Sequence, residues 1–171
     1  MLKQIAILSI FHYFTQMFKK RKSIFEVEEG KFLSPKFDIK GLIPVITTDI
    51  KNGDVLMHGY MNKIAFKKTI ETKQAYYWSR SRKALWHKGK TSGFVQKVKD
   101  IRIDDDQDAI WLKVDIGNGA SCHVGYKSCF YRSVPLGKIK NLKNIKMKFK
   151  EKKKKFDPNK VYKGQANPTK L

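Results

Sequence analysis

Two cysteines in 171 residues are too few for the disulfide framework of a small secreted domain. A structural zinc finger is excluded too, because no second CxxC or HxxxH pair accompanies them to complete four ligands. The apolar amino-terminal stretch, residues 1–18, falls short of the roughly 20 residues of a membrane span, and His12, Thr15 and Gln16 interrupt it. Phe18-Lys19-Lys20 follows where a signal peptide would place small residues. Internal repeats are lacking. Acidic residues are scarce, 15 against 37 Lys and Arg, and the net charge of +22 suggests a nucleic-acid binder until its distribution is read.

Residues 1–40 carry +4, residues 41–135 carry +7 and residues 136–171 carry +11. Half of the excess thus sits in a lysine tail, a feature that solvation explains as readily as recognition. A chain of this length with 41% hydrophobic residues builds one core rather than two. The expected organisation is an amino-terminal extension over 1–40, a folded domain over 41–135 and a lysine-rich tail over 136–171. Met17 is a candidate true start, with residues 1–16 a gene-model extension or, alternatively, an amphipathic membrane-surface helix.

The domain opens near Gly41. GLIPVITTD is apolar and β-branched, Asn52-Gly53 signals a tight hairpin, and Val55-Leu56-Met57 resumes the strand pattern. Asn62 is placed to cap a helix over residues 63–72, with Ile64, Phe66 and Ile70 on its buried face. Residues 74–79 read as a strand by their aromatics, and residues 94–103 and 109–116 as further strands, the last turned by Gly117-Asn118-Gly119. Beyond Pro135, residues 146–155 offer no more than a transient helix. These elements predict an α+β fold, mainly antiparallel β-sheet with few helices.

Chemistry concentrates in DDDQDAIWLKVDIGNGASCHVGYKSC, residues 104–129. If the first part is extended, Asp104, Asp106 and Asp108 share one face while Asp105 and Gln107 take the other. Three like charges on one face call for a hard, oxygen-preferring cation such as magnesium; the alternative is an acidic surface turn without an ion. An EF-hand is excluded, since neither the glycine nor the closing glutamate occurs at the required offsets. Cys122 and Cys129, with Gly125 between them to fold the loop back, supply half of a tetrahedral zinc set. Such a pair suits the reduced cytoplasm, although one local disulfide is the alternative. An open zinc site lowers the pKa of bound water to about 7, and His123 can ligate or act as a base beside it, unless it is a buried structural histidine. Upstream, Arg80, Arg82 and Lys88, with Thr91-Ser92-Gly93, have the makings of a phosphate-binding loop. Zinc deaminases are the nearest mechanistic analogy, but their HxE and PCxxC signature is missing.

The ordered runs GLIPVITTD, NGDVLMHGYMN, YYWSRSRKALWHKGKTSG, DDDQD and ASCHVGYKSCFYR resemble the phosphoribosyl-AMP cyclohydrolase family over residues 41–134. The resemblance implies a cytoplasmic hydrolase of the third step of histidine biosynthesis. It would open the adenine ring of 1-(5-phosphoribosyl)-AMP at N1–C6 to give the phosphoribosyl-formimino-AICAR ribotide. It also implies an interlocked homodimer with zinc at the interface on Cys122 and Cys129, and magnesium on Asp104, Asp106 and Asp108. Hydroxide would add to purine C6 with His123 as the proton-transfer group, and Arg80, Arg82 and Lys88 would hold phosphates; His87 has no assigned role. Partners would be a nucleotide substrate and a second copy, with neither nucleic acid nor membrane.

One position departs from the family. Where it commonly reads Asp-Cys-Asp-x-Asp, with the cysteine as third zinc ligand across the interface, this chain has Asp105. A carboxylate can ligate zinc, so Asp105 of the partner subunit is the expected substitute. Two readings compete: a basic nucleic-acid-binding module with a partial zinc knuckle, and a family member that has lost catalysis with its cysteine. Deleting residues 136–171 would separate the first, since the enzyme reading expects most turnover to survive.

Overall fold

The apolar, β-branched run that opens the domain becomes an inner strand of a four-stranded sheet. In the computed structural model, which describes residues 17–138 and 141–165, β1 (Ile43–Asp49) lies between β2 (Val55–Met61) and β6 (Ile110–Asp115), with β5 (Lys97–Ile103) outside β6. The pairs β1–β2 and β5–β6 are antiparallel, whereas β1 and β6 run parallel, Val45 facing Ile110. The fold is therefore α+β and mostly antiparallel, with one parallel pair at its centre. That pair joins two hairpins distant in sequence, which is why no local signal announced it. Residues 1–16, on which the expectations of a later start or a surface helix fall, lie outside the described residues.

Strand β1 ends at Asp49 and β2 starts at Val55, so Asn52-Gly53 sits in a five-residue loop rather than a two-residue turn. Gly53 adopts φ +77° and donates its amide to the Asp49 carbonyl, a conformation that only glycine takes at no steric cost. After β2, Asn62 caps α2 (Lys63–Thr72) by accepting from the Ala65 amide at 2.8 Å. The helix stops where Lys73 turns left-handed at φ 54°. Its buried face is Ala65, Phe66 and Thr69, whereas Ile64 and Ile70 are 37% and 44% exposed. At about 100° per residue, Ile64 lies behind this face and Ile70 at its edge. The helix is turned by Thr69, whose hydroxyl donates to the Ala65 carbonyl and accepts from the Tyr76 amide.

A second sheet is the hairpin of β3 (Tyr76–Ser79) and β4 (Ala84–His87). Strand β4 falls in residues that the sequence presents as a basic loop. Between the layers lie Ile43, Val45, Leu56, Met61, Phe66, Tyr77, Ile110, Leu112 and Val114, all essentially solvent-free. Each such side chain contributes about 1.5–3 kcal/mol by its burial.

Both flanking segments touch this body. Before it, α1 (Ile24–Glu28) is capped by Ser23, Phe18 stacks on Phe66 at 5.4 Å, and Gln107 binds the Ser34 amide and the Val27 carbonyl. After it, β7 (Arg132–Ser133) pairs with β8 (Lys148–Phe149), so residues 146–155 contain a strand rather than the expected transient helix. A last turn of helix, α3 (Pro158–Val161), is capped by Asp157. Among the described residues no helix is long and apolar enough to cross a membrane.

Candidate active site

The loop between β6 and β7 doubles back on itself. The Cys122 amide donates to the Tyr126 carbonyl and the Gly125 amide to the Cys122 carbonyl, with Gly125 at φ +104°. The Cys129 amide then donates to the Leu56 carbonyl of β2 at 2.7 Å. This brings two free thiols, buried Cys122 and exposed Cys129, into reach of a mutual hydrogen bond. That bond, against the opposing effect of burial, holds the Cys122 thiol below the ordinary range, with the Val124 amide and the Lys88 charge helping. Cys129 is raised in turn, first because it is the donor.

Lys88, only 4% exposed, supplies the positive charge beside them. Burial lowers its pKa, and the two sulfurs partly oppose that. His123 is depressed by burial and then by Lys88. Lys88 is thus the charge that acts on Cys122, Cys129 and His123 alike. Arg80 and Arg82 lie elsewhere, exposed at the turn of the β3–β4 hairpin. The Arg80 guanidinium covers Tyr60 at 4.0 Å, and Arg82 Nε donates to Ser79 Oγ at 3.1 Å. Lys88 follows the far end of the hairpin, about 10 Å of strand away. His87 stacks on Tyr76 at 4.3 Å and has a buried Nε2 without a hydrogen-bond partner among the described residues.

A buried polar chain supports the loop from the interior. Thr47 Oγ1 and Tyr77 Oη are 2.7 Å apart, Tyr77 Oη donates to Gln96 Oε1 at 2.8 Å, and Gln96 Nε2 donates to Ser121 Oγ at 2.9 Å. Sequence reasoning missed Gln96; its one signal was a polar residue in phase with inward-facing Val98. Lys127 ties the loop to β1 as well, its Nζ lying 2.8 Å from buried Asp49 and 3.2 Å from Asp54.

The acidic cluster forms differently from expectation. Residues 104–109 make a turn rather than an extended strand: Gln107 adopts φ +56°, and the Asp104 carboxylate accepts from the amides of Asp108 and Ala109 at 2.8 Å each. Asp104, Asp106 and Asp108 nevertheless converge, offering oxygens within 4.8 Å of one another. Gln107 is buried and Asp105 exposed, so these two do not share the opposite face that an extended strand would have given. Lys36 Nζ lies 3.1 Å from both Asp106 and Asp108, and its hydrogen bond holds the Asp108 carboxyl below the usual range. A tethered ammonium thus meets part of the repulsion that predicted a cation.

The donor chemistry fits both metals. Two neighbouring cysteine sulfurs suit zinc, and three convergent carboxylates suit magnesium. Among the described residues of one chain, no third His, Cys, Asp or Glu converges on the sulfurs.

Comparison with known proteins shows the family. A family model for phosphoribosyl-AMP cyclohydrolase matches residues 57–131, which include most of β2, the β3–β4 hairpin, the acidic turn and the cysteine loop. A phosphoribosyl-AMP cyclohydrolase of Rhodopseudomonas palustris strain TIE-1 is 51% identical over 137 residues, covering 80% of this chain and 89% of its own length. One from Nitrobacter winogradskyi is 49% identical over 145 residues, 85% of this chain and 97% of its own. At such identity and coverage the chain belongs to the phosphoribosyl-AMP cyclohydrolase family of enzymes.

Proposed function

We propose that this enzyme hydrolyses 1-(5-phosphoribosyl)-AMP at the N1–C6 bond in the third step of histidine biosynthesis. The observation that carries the reading is the fold-back of the cysteine loop of a family member, which sets buried Cys122 and Cys129 against β2 with Lys88 acting on both and His123 next in sequence to Cys122. Zinc held by Cys122 and Cys129 would supply Lewis acidity and bring the pKa of a water molecule to about 7. His123, beside the first sulfur, takes the proton from the water that adds to C6 and passes it to N1 as the N1–C6 bond breaks. The exocyclic amine and the new C6 oxygen then form a carboxamide. Lys88 balances the charge of the sulfurs from its buried position. Exposed Arg80, stacked on Tyr60, and Arg82, bonded to Ser79, present guanidinium forks suited to the substrate's phosphates. Magnesium at Asp104, Asp106 and Asp108 would add positive charge for the same phosphates, and Lys36 would have to leave Asp106 and Asp108 for it.

Two sulfurs leave the zinc set incomplete, which supports an interlocked homodimer in which Asp105 of the partner subunit is the third ligand. Its exposure is what such a role requires. Asp105→Ala protein is then expected to lose zinc and most turnover, while Asp105→Cys retains both. Unchanged zinc content and turnover in the alanine variant would remove Asp105 from the site. The free cysteine pair fits a cytoplasmic enzyme. The activity itself is tested by following the absorbance change of ring opening with purified protein.

A further inference from the structure

The carboxylate of Glu151, in the lysine-rich tail, spans two consecutive amides of the cysteine loop. Oε2 accepts from the Lys127 amide at 2.7 Å and Oε1 from the Ser128 amide at 2.9 Å. Cys129 is the next residue. Buried polar groups hold this stretch on its other side, where Ser128 Oγ donates to the Val55 carbonyl at 2.6 Å and the Cys129 amide to Leu56. The tail closes on the loop at two further points. The Lys155 amide donates to the Gly125 carbonyl, and the Lys150 amide donates to the Tyr131 carbonyl. At Gly125 the fit is so close that an added Cβ would lie 2.5 Å from the Phe156 carbonyl oxygen. Phe156 itself packs on Phe94 at 5.1 Å.

We infer that Glu151 is a positioning residue: it fixes residues 127–129 so that the Cys129 sulfur stays at Cys122 in the geometry that a metal needs. The inference rests on the proposed function for its catalytic consequence, but its structural part does not. An ionised acceptor is the strongest partner that two adjacent N–H groups can share, and both oxygens are used. Residues 150–156 lie beyond the segment that the family model matches, so the tail contributes to the site from outside that segment. This reverses the expectation that a chain lacking residues 136–171 would keep most of its turnover.

The test is Glu151→Gln in the full chain, an isosteric change that presents an NH2 group to one of the two amides. Lys152→Ala, at the exposed neighbouring residue, is the control. Hydrogen exchange of the metal-free protein is expected to accelerate about ten-fold at residues 127–129 while the amides of β1 and β2 stay protected. Zinc affinity, read by competition with a chromogenic chelator, is expected to weaken about ten-fold or more. In steady state, kcat should fall with KM little changed, and Glu151→Asp should recover part of the zinc affinity. Exchange and zinc affinity matching the control would overturn the inference. Loss of protection throughout β1 and β2 would also overturn it, by showing a residue that only stabilises the fold. If the parent protein binds no zinc, the proposed function fails, while the exchange measurement still decides the role of Glu151.

Discussion

Cys122→Ser protein is expected to fold, to bind no zinc at micromolar concentrations, and to open the substrate ring more than about 100-fold slower than the parent. A residue that merely orients a metal ligand costs 10–100-fold on removal, and a ligand should cost more. Serine fills nearly the same volume and leaves the backbone bond to Tyr126 in place. It cannot become an anion near pH 7, so it gives up the readier ionisation that hydrogen bonds from Cys129 and the Val124 amide give the Cys122 thiol. Thermal unfolding of the metal-free variant close to that of the metal-free parent, with zinc content near zero, is the expected pair of results. Full zinc content with normal turnover would place the chemistry elsewhere in the molecule.

The largest expected effect on stability belongs to Lys127. Its ammonium is the one side-chain cation within ion-pair distance of Asp49 among the described residues, and the Asp49 side chain is 4% exposed. Burial works to raise the Asp49 carboxyl; the hydrogen bonds from Lys127 and from the Lys51 amide outweigh it and leave the group below its ordinary value. Lys127→Met should therefore cost about 3–5 kcal/mol at pH 7, because it strands a buried carboxylate. Adding Asp49→Asn to that variant should recover much of the loss.

The sign of the pH effect follows from the direction of the shift. A depressed folded-state pKa contributes stability above the ordinary carboxylate value, and that stability disappears as pH falls through the lower folded value. In Lys127→Met burial, the largest influence, remains against only the amide and the charge of Lys51, and burial favours the neutral acid. The difference between parent and variant should accordingly shrink as the pH is brought below 4. Urea unfolding at pH 7 and pH 3 measures it, and a difference independent of pH would show that Asp49 is not the group responsible.

Signals confined to a few neighbouring residues were legible in the sequence. Asn62 ahead of the Lys63–Thr72 helix, the left-handed glycine at Gly53 and the fold-back at Gly125 act through local backbone geometry, and each appears where the residue types place it. The convergence of Asp104, Asp106 and Asp108 was also foreseeable, though not its route. An alternating charge pattern looks the same whether the backbone is extended or closed into a turn by Asp104 accepting from Asp108 and Ala109.

What the sequence withheld depends on partners far along the chain. The parallel pairing of β1 with β6, the burial of Gln96 against Tyr77 and Ser121, and the seat of Lys88 beside the sulfurs are products of packing. Composition misled in the tail, where one glutamate among lysines binds two loop amides. The helix face was misjudged for a related reason: hydrophobicity favoured Ile64 and Ile70, but a hydrogen-bonded Thr69 was the residue that had to be inside.

The central claim is that Cys122 and Cys129 hold a zinc ion on which ring opening depends. The most direct measurement is the absorbance change of 1-(5-phosphoribosyl)-AMP with purified protein, first stripped by a chelator and then titrated with zinc. The account predicts that stripping abolishes turnover and that turnover returns in proportion to zinc, saturating at one ion per chain. Full turnover by the stripped protein, or no ring opening by protein carrying one zinc per chain, would contradict it.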